Sequence, residues 1–156
     1  MKKTNLIPVL CLTAFLLLSC AVSGADEAAP APEAAPMVID LDLSGMSGTI
    51  VYSQIYNMMV EPEAYLGKVI RIAGYYSAFE DTERNIVYHA CVVPDATACC
   101  AQGIEFIWAG EHAWPEDYPE ETTDITVTGR LEMYEEDGID YLHLVDSEVV
   151  WEDEEK

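Results

Sequence analysis

Five stretches of the chain alternate apolar and polar residues with the two-residue period of a half-buried β-strand. They cover residues 68–78, 86–93, 103–108, 124–134 and 141–151. Asp137-Gly138 separates the last two stretches, and this dipeptide is a strong signal for a tight hairpin. Gly74 and Gly129 interrupt the first and fourth stretches, where a glycine favours a bulge or a sharp bend. The pattern therefore predicts a mostly β domain with bent strands.

The segment before these strands has a different period. Ile55, Met58 and Met59 recur at helical spacing, and Glu61-Pro62 ends the run, which predicts a short helix over residues 49–60. Residues 37–46 alternate over a shorter length, so they are expected to form a short strand or an extended arm packed on the domain.

The spacing of the five strands favours one architecture. A long acidic, proline-rich connection at residues 109–123 follows the third strand. Five strands with this connection and two mid-strand glycines match the oligonucleotide/oligosaccharide-binding (OB) barrel, which has no exposed edges to protect. We predict a small five-stranded OB-like β-barrel with a short N-terminal helix at residues 38–151, followed by an acidic tail at residues 152–156.

The first 37 residues predict export and anchoring. Residues 1–19 contain two lysines and an apolar run at residues 6–18, which is too short to span a bilayer but suits a signal peptide. Leu17-Leu18-Ser19-Cys20 resembles the bacterial lipobox, whose cysteine carries a diacylglycerol that holds the protein on the bilayer. Residues 20–37 then form the lipid anchor and a disordered acidic Pro/Ala linker. The alternative is an ordinary secretory signal with Cys20 incidental. The expected location is the extracytoplasmic face of the cell membrane.

The charge of the chain excludes one class of partner. Seven Lys and Arg residues stand against 29 Asp and Glu residues, which gives a formal net charge of −22. Binding to nucleic acid requires clustered cationic side chains, so nucleic acid is not expected as a partner. The surface favours metal cations or basic partners.

The sulfur-rich stretch between the second and third strands is the first candidate site. Cys91, Cys99 and Cys100 lie close in sequence to His89 and His112, and these residue types are ligands for a transition metal such as zinc. Adjacent cysteines point to opposite sides of an extended chain, so a shared ion requires a bent loop. Three interpretations remain open: buried thiols or a disulfide that braces the loop, a metal site, and a redox-active pair.

Signals for catalysis are weak. The chain has no Ser-His-Asp nucleophile elbow, no phosphate-binding glycine loop and no HExxH, and no catalytic residue is assigned. A binding or accessory module is therefore favoured. A thiol- or metal-dependent enzyme that uses the three cysteines remains an alternative, as does a purely structural envelope protein with a disulfide-braced loop. His143 lies between two leucines of a strand and is expected to face solvent.

A ligand-binding face is predicted on the second and third strands. OB-type barrels bind ligands by stacking on this face, where Tyr88 and Trp108 supply aromatic rings. The loop at residues 95–103 is expected to set specificity. The further candidates share a position in or beside that loop: Asp95, Gln102 and Glu105.

Several short segments also resemble a family of uncharacterised lipoproteins of Gram-positive bacteria over residues 40–145. The shared segments are DLSGMS at 42–47, PEAYLGK at 62–68, DATACCAQGIEF at 95–106 and YPE at 118–120. The double cysteine is more distantly similar to the C-terminal domain of a permease-accessory family, also barrel-like. The resemblance to the lipoproteins implies a membrane address and a barrel-like fold and leaves the function open. The distant similarity suggests a membrane permease subunit as a partner, by analogy alone.

Overall fold

The computed structural model describes residues 37–97 and 99–152. The helix is α1 (Gly48–Val60), followed by a short 3-10 turn at Pro62–Ala64. The strands are β1 (Leu41–Asp42), β2 (Val69–Asp81), β3 (Ile86–Pro94), β4 (Ala101–Trp108), β5 (Asp124–Glu136) and β6 (Ile139–Trp151). The predicted mostly β fold with one short helix is confirmed, and β2 to β6 correspond to the five predicted strands. The leader, the lipobox with Cys20 and the tail beyond residue 152 lie outside the described residues.

The strands form one mixed sheet with the order β1-β2-β3-β4-β6-β5, and β2 also pairs with β5. The β4–β6 pair is parallel, as is the short pair of β1 with β2, whereas the other pairs are antiparallel. Each long strand is therefore hydrogen-bonded to at least two neighbours over part of its length, whereas the turn-proximal ends of the β2–β3 and β5–β6 hairpins pair only within their own hairpin among the described residues.

Gly74 lies where β2 changes partners. Residues Val69 to Tyr75 of β2 pair with β5, and residues Tyr75 to Asp81 pair with β3. The strand must bend sharply at this point, and Gly74 brings its backbone against Cys91 and Val92 of β3. Gly129 lies at a different irregularity, because the register of β5 with β6 shifts between Thr128 and Arg130, as at a β-bulge. Both glycines thus lie where regular strand pairing is interrupted.

The inward-facing residues of the strands make one core with the helix. Val51, Ile55 and Met58 of α1 are buried, which explains their helical spacing in the sequence. The strand residues of this core alternate with outward-facing ones: Ile70, Ile72, Tyr76, Cys91, Val93, Ile104, Phe106, Ile125, Val127, Leu131, Leu144 and Val149. Apolar burial of this kind is the main stabilising contribution to the sheet.

The two long hairpins end in turns that lie close together. Asp137 and Gly138 both have positive φ, at 52° and 80°, as a tight two-residue turn requires, and this confirms the predicted β5–β6 hairpin. Arg84, in the turn between β2 and β3, forms ion pairs with Asp137 and with Glu136 at 3.6 Å. The two turns are therefore joined by one guanidinium group.

Within the part of the chain that the structure covers, no helix has the length and apolar character needed to cross a membrane.

Candidate functional site

A cavity of about 520 Å³ lies against β3 and β4. Eight of its lining side chains carry rings: Tyr88, His89, Phe106, Trp108, His112, Tyr118, Tyr134 and His143. The other lining residues are Ile86, Val87, Glu105, Ile107 and Gly110. All three histidines of the chain are in this set. We call this cavity the ring pocket.

His89 forms the inner wall of the ring pocket. Its ring stacks on Tyr118, with centroids 3.9 Å apart and an angle of 12° between the planes. Its Nδ1 lies 2.8 Å from the hydroxyl of buried Tyr76, and that hydroxyl also has a hydrogen bond with Trp114. Since an indole N–H can only donate, the Tyr76 oxygen accepts from Trp114, whereas the direction of its hydrogen bond with Nδ1 depends on the tautomer of His89.

Burial determines the charge of His89. It lowers the pKa of His89 from 6.5 to about 4, against an opposing effect of the negative charge of Glu121. Burial also raises the pKa of Tyr76 to about 12, so its hydroxyl stays protonated. The inner wall is thus uncharged at neutral pH.

A second stack closes another side of the ring pocket. The ring of His112 lies 3.5 Å from that of Trp108 at an angle of 6°, and Trp151 meets Trp108 edge-on at 5.5 Å. His112 Nε2 donates a hydrogen bond to the carbonyl oxygen of Ala109 at 2.9 Å. One face of the Trp108 indole is consequently covered by His112, so Trp108 lines the pocket as part of a packed wall.

The long β5–β6 hairpin supplies the remaining wall and its polar group. The Tyr134 hydroxyl donates to Glu105 Oε2 at 2.5 Å, and His143 lies 4.7 Å from Tyr134 between ring centroids. Burial, together with this hydrogen bond, raises the pKa of Tyr134, while burial lowers the pKa of His143. Glu105 is the one carboxylate among the lining residues, so it carries the negative charge of the pocket.

Two contacts tie the β5–β6 hairpin to the other side of the ring pocket. The Tyr88 hydroxyl donates to Glu136 Oε1 at 2.7 Å. Arg84 adds its ion pairs to Asp81, Glu136 and Asp137. Ion pairs between exposed side chains are strongly screened by solvent, so this link adds little to the stability of the pocket wall.

Asp95, Cys99 and Cys100 form a separate group, the thiol cluster, in the loop between β3 and β4. The Asp95 amide donates to the Cys100 carbonyl oxygen at 2.8 Å, which closes the loop. Asp95 Oδ1 accepts from the amides of Thr97 and Cys99 at 3.0 and 3.1 Å. The Cys99 and Cys100 sulfur atoms are 3.7 Å apart. The bent loop therefore brings the two adjacent side chains together, as an extended chain would not.

The thiols of this cluster lie beside the negative charge of Asp95. The neighbouring Cys99 thiol, desolvation and the charge of Asp95 raise the pKa of Cys100. Desolvation alone would raise the pKa of Asp95, but hydrogen bonds from Cys99 and Thr97 outweigh it and hold that pKa below its usual range. An activated nucleophilic cysteine needs a positive neighbour, so this environment does not favour a thiol enzyme.

Cys91 belongs to the core and does not join Cys99 and Cys100. It is fully buried on β3, where its sulfur packs against Gly74. Burial raises its pKa to about 12. All three cysteines of the described residues are free thiols in this structure.

The structure thus divides the candidates of the sequence among three places. The ring pocket contains His89, His112, Tyr88, Trp108 and Glu105, the thiol cluster contains Asp95, Cys99 and Cys100, and Cys91 is in the core. Gln102 lines neither group, and its Oε1 is buried without a hydrogen-bond partner among the described residues.

Sequence reasoning missed four lining rings of the ring pocket, Phe106, Tyr118, Tyr134 and His143, and placed the last of them in solvent. His143 was expected to face solvent, but it is half-buried in the pocket wall. The cause is the parallel β4–β6 pairing, which sets His143 directly beside Glu105. Tyr118 and Tyr134 reach the pocket from the connection after β4 and from the β5–β6 hairpin. A topology prediction that included this parallel pair would have found His143.

Comparison of the chain with family models, with curated proteins and with solved structures found no match.

Proposed function

We propose that this protein is an extracytoplasmic lipoprotein, anchored to the bilayer through Cys20, whose domain is a small-molecule binding module. The ring pocket carries this proposal, because eight rings and one carboxylate surround a cavity of about 520 Å³. Ligand pockets are typically concave cavities of about 300–1,000 Å³ with mostly apolar walls and a few polar groups.

We also propose that the five paired strands are an OB-like β-barrel. In that architecture the second and third strands of the barrel form the ligand face, flanked by the first and last hairpin loops. The equivalent strands here are β3 and β4, which line the ring pocket, and Arg84 joins the equivalent loops. The pocket therefore occupies the face that such a barrel would use.

The charge and lining of the ring pocket indicate the class of ligand. Glu105 is its only charged lining residue, and the whole chain has a net charge of −22. Aromatic rings attract cations as well as apolar groups. We infer that the ligand is a compact molecule that carries a ring, neutral or cationic, and that anionic molecules are rejected.

A matched pair of probes tests the ligand class. Phenethylamine and phenylacetate carry the same ring with opposite charges, and each is titrated into the full chain while the side-chain NMR resonances of the ring pocket are followed. We expect saturable shifts at millimolar concentrations with phenethylamine and much weaker ones with phenylacetate. Equal binding of both would contradict the inferred charge preference, and binding of neither would overturn the binding function.

A conservative variant locates the interaction with phenethylamine. Glu105→Gln should weaken its binding by about 1 kcal/mol, or roughly fivefold, because a partly exposed charge pair is worth about that much. Glu148→Gln removes an exposed carboxylate from β6 outside the ring pocket and serves as the control. An equal loss in both variants would show that only the overall charge matters.

The lipid anchor has its own test. Cys20→Ser should move the protein from the membrane fraction to the soluble or secreted fraction, whereas Cys11→Ser should leave it on the membrane. Two or more acyl chains hold a protein stably on a bilayer at about 0.8 kcal/mol per buried methylene. Mass spectrometry of the membrane-bound protein would show the added diacylglycerol. Membrane association that persists in Cys20→Ser would contradict the anchor.

Anchoring would keep the ring pocket beside membrane proteins. A membrane permease subunit is the partner that the sequence resemblance suggests, and the proposed role is that of its accessory binding module. The acidic surface would require a basic extracytoplasmic surface on that subunit.

A further inference from the structure

The thiol cluster has the ligand types and spacing of a metal site. The ligand atoms of Asp95, Cys99 and Cys100 all lie within 4.8 Å of one another. Two thiolates and a carboxylate are donors that suit a thiophilic ion with filled d orbitals, such as zinc. The histidines that the sequence offered as ligands are in the ring pocket, so a carboxylate takes their place here.

Two distances within the cluster fit tetrahedral coordination before any ion is bound. Two sulfur atoms at about 2.3 Å from one tetrahedral zinc ion are about 3.8 Å apart, and a sulfur and a carboxylate oxygen on that ion are about 3.5 Å apart. The corresponding separations are 3.7 Å between the two sulfur atoms and 3.4 Å between Cys99 Sγ and Asp95 Oδ2. Cys99 Sγ is therefore correctly spaced from both of its neighbours, while Cys100 Sγ and the Asp95 oxygen lie within 4.8 Å of each other and would have to lie about 3.5 Å apart around the ion.

The loop holds the three ligand side chains together, and the Thr97 hydroxyl, 3.1 Å from both Asp95 Oδ2 and Cys99 Sγ, would turn aside when an ion binds. The backbone amides of Thr97 and Cys99 fix one oxygen of Asp95, which leaves the other oxygen on the side of Cys99 Sγ. The salt bridges of the described residues use Arg71, Arg84 and Arg130, and none of them reaches Asp95. The negative charge of the cluster is consequently available to a cation.

We propose that Asp95, Cys99 and Cys100 bind one thiophilic divalent cation, zinc or cadmium, with a water molecule in the fourth position. Both cysteines are exposed, so the ion is open to solvent and to exchange. Closed four-ligand sites serve structure, whereas a three-ligand site leaves a position for an incoming ligand. The cluster is thus suited to reversible capture of the ion. It is separate from the ring pocket, so either proposal can fail without the other.

Cadmium is the direct probe, because its bonds to sulfur absorb in the ultraviolet. The experiment uses the full chain with Cys11→Ser and Cys20→Ser, reduced and kept without oxygen in detergent, so that three thiols remain. We expect the sulfur-to-cadmium absorption to saturate at one ion per chain. Zinc should displace the cadmium, whereas excess calcium or magnesium should not. Cadmium binding without this absorption would mean adventitious carboxylate binding and would overturn the proposal.

Single substitutions then assign the ligands. Cys99→Ser and Cys100→Ser should each weaken cadmium binding by at least about 100-fold, because even groups outside the coordination shell are worth about 10–100-fold. Asp95→Asn should weaken it by about 10-fold or more while the sulfur absorption remains. Cys91→Ala and Asp140→Asn are the matched controls and should bind as the parent chain does.

The substituted residues of the cluster are exposed or half-buried, so thermal unfolding followed by circular dichroism should confirm that each variant remains folded. Undiminished binding in folded Cys99→Ser and Cys100→Ser would overturn the assignment. So would loss of binding in folded Cys91→Ala, because that residue is in the core.

Discussion

Gly74→Ala is expected to lower the free energy of unfolding by about 3 kcal/mol, the upper end of the usual cost of overpacking. The added methyl group would lie 2.5 Å from the carbonyl oxygen of Val92 and 2.8 Å from Cys91 Sγ. The Val92 oxygen belongs to the backbone of the neighbouring strand and cannot rotate away. Relief would require β2 and β3 to separate at the point where β2 changes partners.

Urea unfolding of the full chain measures this loss, and Gly45→Ala is the matched control. No atom lies within 4 Å of a methyl group added at Gly45. That substitution should therefore be neutral or stabilise by up to about 1 kcal/mol through the unfolded state. Similar stabilities for the two variants would show that β2 and β3 do not approach closely at Gly74.

Protonation of His89 is expected to lower the free energy of unfolding by about 2 kcal/mol as the pH falls from 6.5 to 4. This value is smaller than the full pKa shift of His89 would give, because the ring is partly exposed to solvent. Burial lowers the pKa of His89 from 6.5 to about 4 in the folded protein. Between these values the unfolded chain binds more protons than the folded one, so stability rises with pH and is lost on acidification.

The effect of His89 is separated from that of the carboxylates by substitution. His89→Phe keeps a ring to stack on Tyr118 but cannot take up a proton. Its urea midpoints should change less than those of the parent chain over this range of pH. Glu121 opposes the pKa shift, so Glu121→Gln should steepen the loss in the parent chain. Parallel pH curves for the parent chain and His89→Phe would contradict the prediction.

Local signals in the sequence predicted most of the fold. Alternation gave the five long strands, the spacing of Ile55 and Met58 gave the helix, and Asp137-Gly138 gave the last hairpin turn. These features depend on residues close together in the chain, where period and turn chemistry act directly. Gly74 and Gly129 predicted irregular strand geometry, but the change of partner at Gly74 depends on β5, which is distant in sequence.

The sequence predicted the residues of the ring pocket that lie on β3 and β4, but not those that reach it from elsewhere. Tyr88 and Trp108 lie on these two strands, where the predicted OB-like barrel would have its ligand face. Tyr134 and His143 reach the pocket only because the β5–β6 hairpin lies beside β4, and that packing leaves no local pattern. The convergence of Cys99 and Cys100 depends on hydrogen bonds to a single carboxylate, Asp95, which residue spacing does not reveal.

The pairing of β2 with β5 has a consequence for how the protein is made. Val69 pairs with Arg130, so β2 cannot form this pairing until about sixty further residues have been synthesised. Contacts between such distant segments slow folding, because the intervening chain has to be ordered first. A chain that passed through a membrane N-terminus first could not complete its sheet until β5 had emerged. If the chain is exported as proposed, slow assembly of this kind would keep the polypeptide unfolded while it crosses the membrane and would delay folding until translocation is complete.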